Sequence, residues 1–262
     1  MTQEHMYDIK QQLSPTGHAI ISTLATVRVA TGKQIERLHF TDGTNISRVR
    51  MRNIALRRLT DLGVLARWRK PNGGLGGGSD TYCYALDRAG QMIAMPDKPN
   101  YWREPYPSAP FLAHRLVVTE LYVLCHEIAA RGLTMKAFDP EPLCWRQLPG
   151  YGHRTIRPDA RLVLYDGQYK YYWFIEVDMG TERLERIKDK LKLYSLYRAS
   201  GKEQAKHKVF PGVLFLVLGQ ERKQRIEALI RRQSSYSQQL FWVELQEDAY
   251  TVLTDIKRFE TI

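Results

Sequence analysis

Apolar positions in the first hundred residues recur mostly at helical spacing. Ile20, Ile21, Leu24 and Val27 follow the helix-start pair Ser14-Pro15 and predict a helix over about residues 14–30, broken at Thr31-Gly32. Lys33 to Phe40 predicts a short second helix with Ile35 and Leu38 turned inward. Beyond the turn Thr41 to Asn45, with Thr44 or Asn45 as its cap, a third helix should run to about Asp61 on an apolar seam of Val49, Leu56, Leu59 and Leu62. The period then changes to two. Ala66 to Lys70 and Thr81 to Leu86 alternate as two strands around a tip running from Pro71 to Gly78 that is mostly glycine. Three helices followed by such a hairpin predict an N-terminal winged helix-turn-helix over residues 1–98.

Pro99, Pro105, Pro107 and Pro110 lie in a stretch without periodicity, which marks residues 99–110 as a linker. From Phe111 to about Arg131, Leu112, Leu116, Val117, Leu121, Leu124 and Ile128 predict a long helix. Leu143 to Gln147 reads as a strand, and Ala160 to Tyr165 with Tyr171 to Val177 as an antiparallel hairpin about Asp166-Gly167. A helix over Glu182 to Ala199, a strand over Val213 to Leu218, a helix over Gln220 to Arg232 and a strand over Leu240 to Leu245 complete the pattern. That order predicts an α/β sandwich over residues 111–262, so the fold class of the chain is α+β in its first part and α/β in its second.

The hairpin turn fixes which side chains share a face. A two-residue loop pairs Tyr165 with Gln168 and sets Asp159 against Phe174, whereas a four-residue loop sets Asp159 against Glu176. Either loop puts Ala160, Leu162, Leu164, Trp173, Ile175 and Val177 on one apolar face and Asp159, Glu176 and Asp178 on the other. Carboxylates crowded on one sheet face repel unless a cation or protons compensate, and oxygen-only ligands suit Mg2+ or Mn2+. Asp159, Glu176 and Asp178 are therefore the candidate metal ligands, with Glu120, an acid within the apolar helix, as a fourth.

Charge points to the partner. The 262 residues carry a formal net charge of +11, and residues 28–70 hold eleven Lys and Arg against three acids. An anionic partner follows, with nucleic acid favoured over a membrane, because neither a basic amphipathic anchor nor a lipidation signal is seen. The residues expected at double-stranded DNA are Asn45, Ser47, Arg48, Arg50 and Arg52 on the third helix and Arg67, Arg69 and Lys70 on the hairpin. A polar start and the lack of a long apolar stretch give the expectation of a soluble, cytoplasmic protein. Cys83, Cys125 and Cys144 are too few and too far apart for a disulfide framework or a zinc knuckle.

Pro158-Asp159, then Glu176-x-Asp178, then a helix with Lys190 resembles the PD-(D/E)XK nuclease-like arrangement. Over roughly residues 14–245 the chain resembles the replication-relaxation family of plasmid and integrative-element proteins, through His114-Arg115-Leu116, Arg157-Pro158-Asp159-Ala160, Glu176-Val177-Asp178 and Lys190-Leu191 with Tyr194. The same layout resembles MobC-type mobilisation relaxases. This resemblance implies a winged helix ahead of a restriction-endonuclease-like domain, with Asp159, Glu176, Asp178 and Lys190 as catalytic residues and Mg2+ or Mn2+ as cofactor. Asp178 stands where the nuclease pattern expects a lysine, and Lys190 on the following helix is the residue that would supply the missing charge. The expected function is a metal-dependent DNA endonuclease or nickase of plasmid replication, relaxation or mobilisation. Other replication or mobilisation proteins are expected as further partners; the sequence leaves the oligomeric state open, a dimer among the options. The alternative is a non-catalytic DNA-binding accessory whose nuclease-like domain is a platform.

Overall fold

The computed structural model describes residues 3–69, 82–97, 106–150, 152–233 and 238–255. The glycine tip, Lys70 and most of the expected linker lie outside these residues. The chain divides into two compact units, Met1–Val123 and Leu124–Ile262, and the division falls inside the helix Ala109–Glu127.

In the first unit, helices α1 (Gln3–Gln11), α2 (Pro15–Val27), α3 (Gly32–His39) and α4 (Asn45–Asp61) precede strands β2 (Leu65–Arg69) and β3 (Tyr82–Leu86). A two-residue strand, β1 (Ala30–Thr31), pairs with β3 and completes a three-stranded antiparallel sheet in the order β1-β3-β2. Local chemistry sets the helix starts. The Ser14 hydroxyl accepts from Gly17 N–H, Thr31 and Gln34 form a reciprocal capping box, and Thr44, not Asn45, caps α4 by accepting from Ser47 N–H. Gly63, at φ +65°, turns the chain from α4 into β2.

Ile20, Leu24, Ile35, Leu56, Leu59 and Val64 form the core of this unit. Helix α5 (Arg88–Ala94) packs against it so closely that a Cβ at Gly90 would stand 2.3 Å from the carbonyl oxygen of Val64. A backbone atom in a strand-turn junction cannot step aside. Gly90→Ala should therefore destabilise the unit by about 1–3 kcal/mol, read as a lower midpoint in denaturant titration. An unchanged midpoint would show that α5 can slide.

The long helix α6 (Ala109–Glu127) contributes Leu112 and Leu116 to a second cluster with Val29 and Cys83. Thr119 Oγ1 donates to the Val29 carbonyl at 2.6 Å, which fixes this helix beside the loop between α2 and α3.

The second unit is built on a five-stranded sheet, order β10-β9-β8-β7-β4, of strands β4 (Thr134–Pro140), β7 (Ala160–Tyr165), β8 (Lys170–Asp178), β9 (Gly212–Val217) and β10 (Phe241–Leu245). Strands β4, β7 and β8 form an antiparallel meander, while β9 runs parallel to β8 and β10 parallel to β9. Helix α7 (Leu184–Ala199) connects β8 to β9, α8 (Lys202–His207) follows it, and α9 (Gln220–Arg231) connects β9 to β10. Phe174, Phe215, Ile187, Leu191, Tyr194 and Ile226 share one core, which seats α7 and α9 on the sheet face that carries Glu176.

One expectation is corrected here, and one open alternative is decided. The first meander strand is Thr134–Pro140, whereas Arg146–Gln147, inside the segment expected to be that strand, pairs only with Thr155–Ile156 in a separate ribbon, strands β5 and β6. As a sheet edge, β4 buries little and tolerates Pro140, so its apolar signal is faint. Of the two loop lengths that the sequence left open, the hairpin has the four-residue one: Tyr165 pairs with Lys170, and Asp159 N–H donates to the Ile175 carbonyl at the level of Glu176. Asp166 Oδ1 accepts from the N–H groups of both Gln168 and Tyr169, at 2.8 and 2.7 Å, which stabilises the longer turn.

Candidate functional site

Two places bring together residues singled out in the sequence, one in each unit. In the first unit, α4 buries Leu56 and Leu59 and turns Asn45, Ser47, Arg50, Arg57 and Arg58 to the surface, with Arg48 half-buried. Arg67 and Arg69 are exposed on β2, their guanidinium groups 4.8 and 6.0 Å from the centre of the Tyr82 ring. Arg52 departs from this pattern. It is 1% exposed, its guanidinium pairs with Glu36 on α3, and both Nε and Nη2 donate to Asn53 Oδ1. The expectation that it reaches DNA gives way to a role in clamping α3 to α4, because a helix with arginines around its circumference must bury one with a partner.

In the second unit, Asp159 closes the turn into β7, and its Oδ2 accepts from Val177 N–H on β8 at 2.6 Å. Glu176, on the neighbouring strand, is 2% exposed. Its Oε2 accepts from Lys190 Nζ at 2.8 Å and its Oε1 from the Tyr194 hydroxyl at 2.6 Å, both from α7. Positions 190 and 194 lie one helical turn apart on α7, so one carboxylate meets both. Lys190 also bonds Glu182 Oε2 at 2.9 Å.

Burial pushes the Glu176 carboxyl up to about 7, and the charge of Asp159 adds to the rise against the pull of Lys190 and Tyr194. For Lys190, burial acts to lower the pKa, but Glu176 and Glu182 outweigh it and hold the ammonium above lysine's ordinary value. The cluster thus holds a positive charge against a buried carboxyl whose ionisation burial opposes and Lys190 favours.

Asp178 does not join this cluster in the way expected of a third metal ligand. Arg222 of α9 donates to it through Nη2 at 2.7 Å and Nε at 3.1 Å, both to Oδ2, while Gly180 N–H donates to Oδ1 at 2.6 Å. The cation that offsets its charge is an arginine, on a helix whose place beside β8 the sequence did not reveal. Glu120 is also placed elsewhere, since it accepts from Gln34 Nε2 and Arg37 Nη1 in the first unit. Among the described residues no group of three or more His, Cys, Asp and Glu is disposed to hold a metal ion. Of the expected oxygen ligands, Asp159 and Glu176 are the two whose charges act on each other, whereas Asp178 and Glu120 are engaged by Arg222 and Arg37.

On α7, Lys190 and Tyr194 reach Glu176, while Arg186 is exposed and Tyr197 donates to Glu203 on α8. Sequence reasoning missed Glu182 and Arg222. Glu182 lies just ahead of the helix that carries Lys190, but nothing in local spacing links Arg222 to Asp178. No helix among the described residues is long and apolar enough to cross a membrane.

No curated protein and no solved structure matches the chain. A family model matches residues 21–213, a span that holds α3, α4, the carboxylate hairpin and Lys190 and stops short of Arg222. Since that match covers well over half of its length, the chain belongs to the replication-relaxation family.

Proposed function

We propose that the protein binds double-stranded DNA in the replication or relaxation of a plasmid or mobile element and nicks it in a divalent-metal-dependent reaction. The observation that carries the nicking reading is the placement of Lys190 Nζ on Glu176, next to the strand that presents Asp159. This restores, from α7, the positive charge that the strand motif lacks at Asp178. In this reading the first unit is a winged helix-turn-helix and the second a PD-(D/E)XK-like domain. The helix-rich first unit with its antiparallel sheet, and the meander followed by α7 and a parallel strand, support that assignment.

Asp159 and Glu176 are the residues that would hold Mg2+ or Mn2+, which when bound supplies charge to polarise a phosphoryl oxygen. Lys190 adds a fixed charge where negative charge develops on the scissile phosphate. Tyr194 holds the Glu176 carboxylate in place, and Asp178, engaged by Arg222, ties β8 to α9. Supercoiled plasmid incubated with the protein and Mn2+ should become open circles, and Asp159→Ala should leave it supercoiled. Equal conversion by both proteins would remove Asp159 from the reaction.

A second reading, a non-catalytic replication or mobilisation accessory, is favoured by one observation. Arg222 meets Asp178, and Lys190 with Tyr194 meets both oxygens of Glu176, so protein groups alone can compensate these acids. Retained DNA binding with no conversion of plasmid in Mg2+ or Mn2+ would establish it.

A further inference from the structure

On the surface of α4 the arginines are interleaved with large aliphatic side chains. Ile46 is 81% exposed, and Met51 and Ile54 are each 53% exposed. At 100° per residue Ile46, Arg50, Ile54 and Arg57 fall on one stripe, and the helix rise spreads them over about 16 Å, or roughly five base-pair steps. The first turn of α4 carries no acid. Single exposed aliphatics need no explanation, but three on the outward arc of one arginine-bearing helix do.

Arginines alone would serve for phosphates, which offer nothing to an isoleucine. The major groove does, because its one apolar group is the thymine methyl. Resting on the DNA-binding reading above, we infer that α4 reads thymine methyls with Ile46 and Ile54, supported by Met51, while Arg50 and Arg57 neutralise phosphates or meet guanine edges. Site choice is then set largely by aliphatic contact, and affinity by charge.

The test uses the full chain and 30-base-pair duplexes enriched by binding from a random pool, resynthesised with deoxyuridine at every thymine, which removes only the methyl groups. Loss of each buried methyl should weaken binding about fourfold, so the parent protein should prefer the thymine form by that factor or more. Ile46→Ser and Ile54→Ser, both at exposed positions, should each lower the preference, and Arg50→Ala should weaken both forms alike. Equal binding of thymine and uracil forms by the parent, or an undiminished preference in both serine variants, would overturn the inference and leave DNA binding standing. Failure to enrich any duplex would instead overturn the DNA-binding reading on which it rests.

Discussion

Lys190→Ala should lower nicking about 100-fold or more while leaving DNA binding intact, the scale of loss seen when one preorganised charge-stabilising group is deleted. Lys190 is the only lysine that the structure sets on Glu176 among the described residues, and it also meets Glu182, so two acids hold it in place. Lys188, two positions away and exposed, should tolerate the same change. The variant has a second consequence to separate from catalysis, because Glu176 would keep Tyr194 and lose its cation while remaining buried. A thermal melt run beside the plasmid assay distinguishes lost chemistry from lost folding. Wild-type nicking by Lys190→Ala would leave the motif's missing lysine without a substitute and favour the non-catalytic reading.

The positions of the main helices and strands were legible because their signals are local. Ser14-Pro15 ahead of Ile20, Ile21 and Leu24 places α2, and β-branched and aromatic runs on either side of Asp166-Gly167 place β7 and β8. The face shared by Asp159, Glu176 and Asp178 followed from period two alone, whichever even loop closed the hairpin. What escaped was decided between elements. The edge strand β4 is stabilised by pairing with β7 rather than by its own pattern, and β1 is two residues long.

The same distinction applies to the sites. Lys190 was legible because family resemblance placed it on the helix after the hairpin, and the structure adds its bond to Glu176. Arg52 was misjudged because a charged residue in an arginine-rich helix gives no local sign that it faces inward; Glu36, sixteen residues earlier on another helix, supplies the opposite charge that makes its burial tolerable. Glu120 reads as an acid in an apolar helix, and the arginine that answers it lies 83 residues away. Long-range pairing of opposite charges is the information a single sequence withholds.

Arg222→Ala should be the most damaging single change to the second unit outside its apolar core. Asp178 sits at 2% side-chain exposure at the end of β8, and Arg222, itself 14% exposed, is the cation that meets it. The arginine also donates through Nη2 to the carbonyl of Glu182 at 2.6 Å, so it ties the end of β8, the segment entering α7 and α9 to one another. Truncation leaves a buried carboxylate with the Gly180 N–H as its remaining close donor among the contacts described. Breaking such a pair by removing one partner costs on the order of 3–5 kcal/mol, more than the pair itself contributes, because the remaining charge keeps its desolvation penalty. Arg222→Lys should recover only part of that, since one ammonium cannot supply the side-on pair of N–H groups and reach the Glu182 carbonyl as well. Asp178→Asn should cost less than Arg222→Ala, because the asparagine oxygen can still accept from Arg222, whose Nη2 also keeps the Glu182 carbonyl. Urea titration of the full chain, followed through the transition of the second unit, measures all three. If Arg222→Ala melts with the parent, Asp178 has another compensating cation, and a bound divalent ion returns as the candidate for that role.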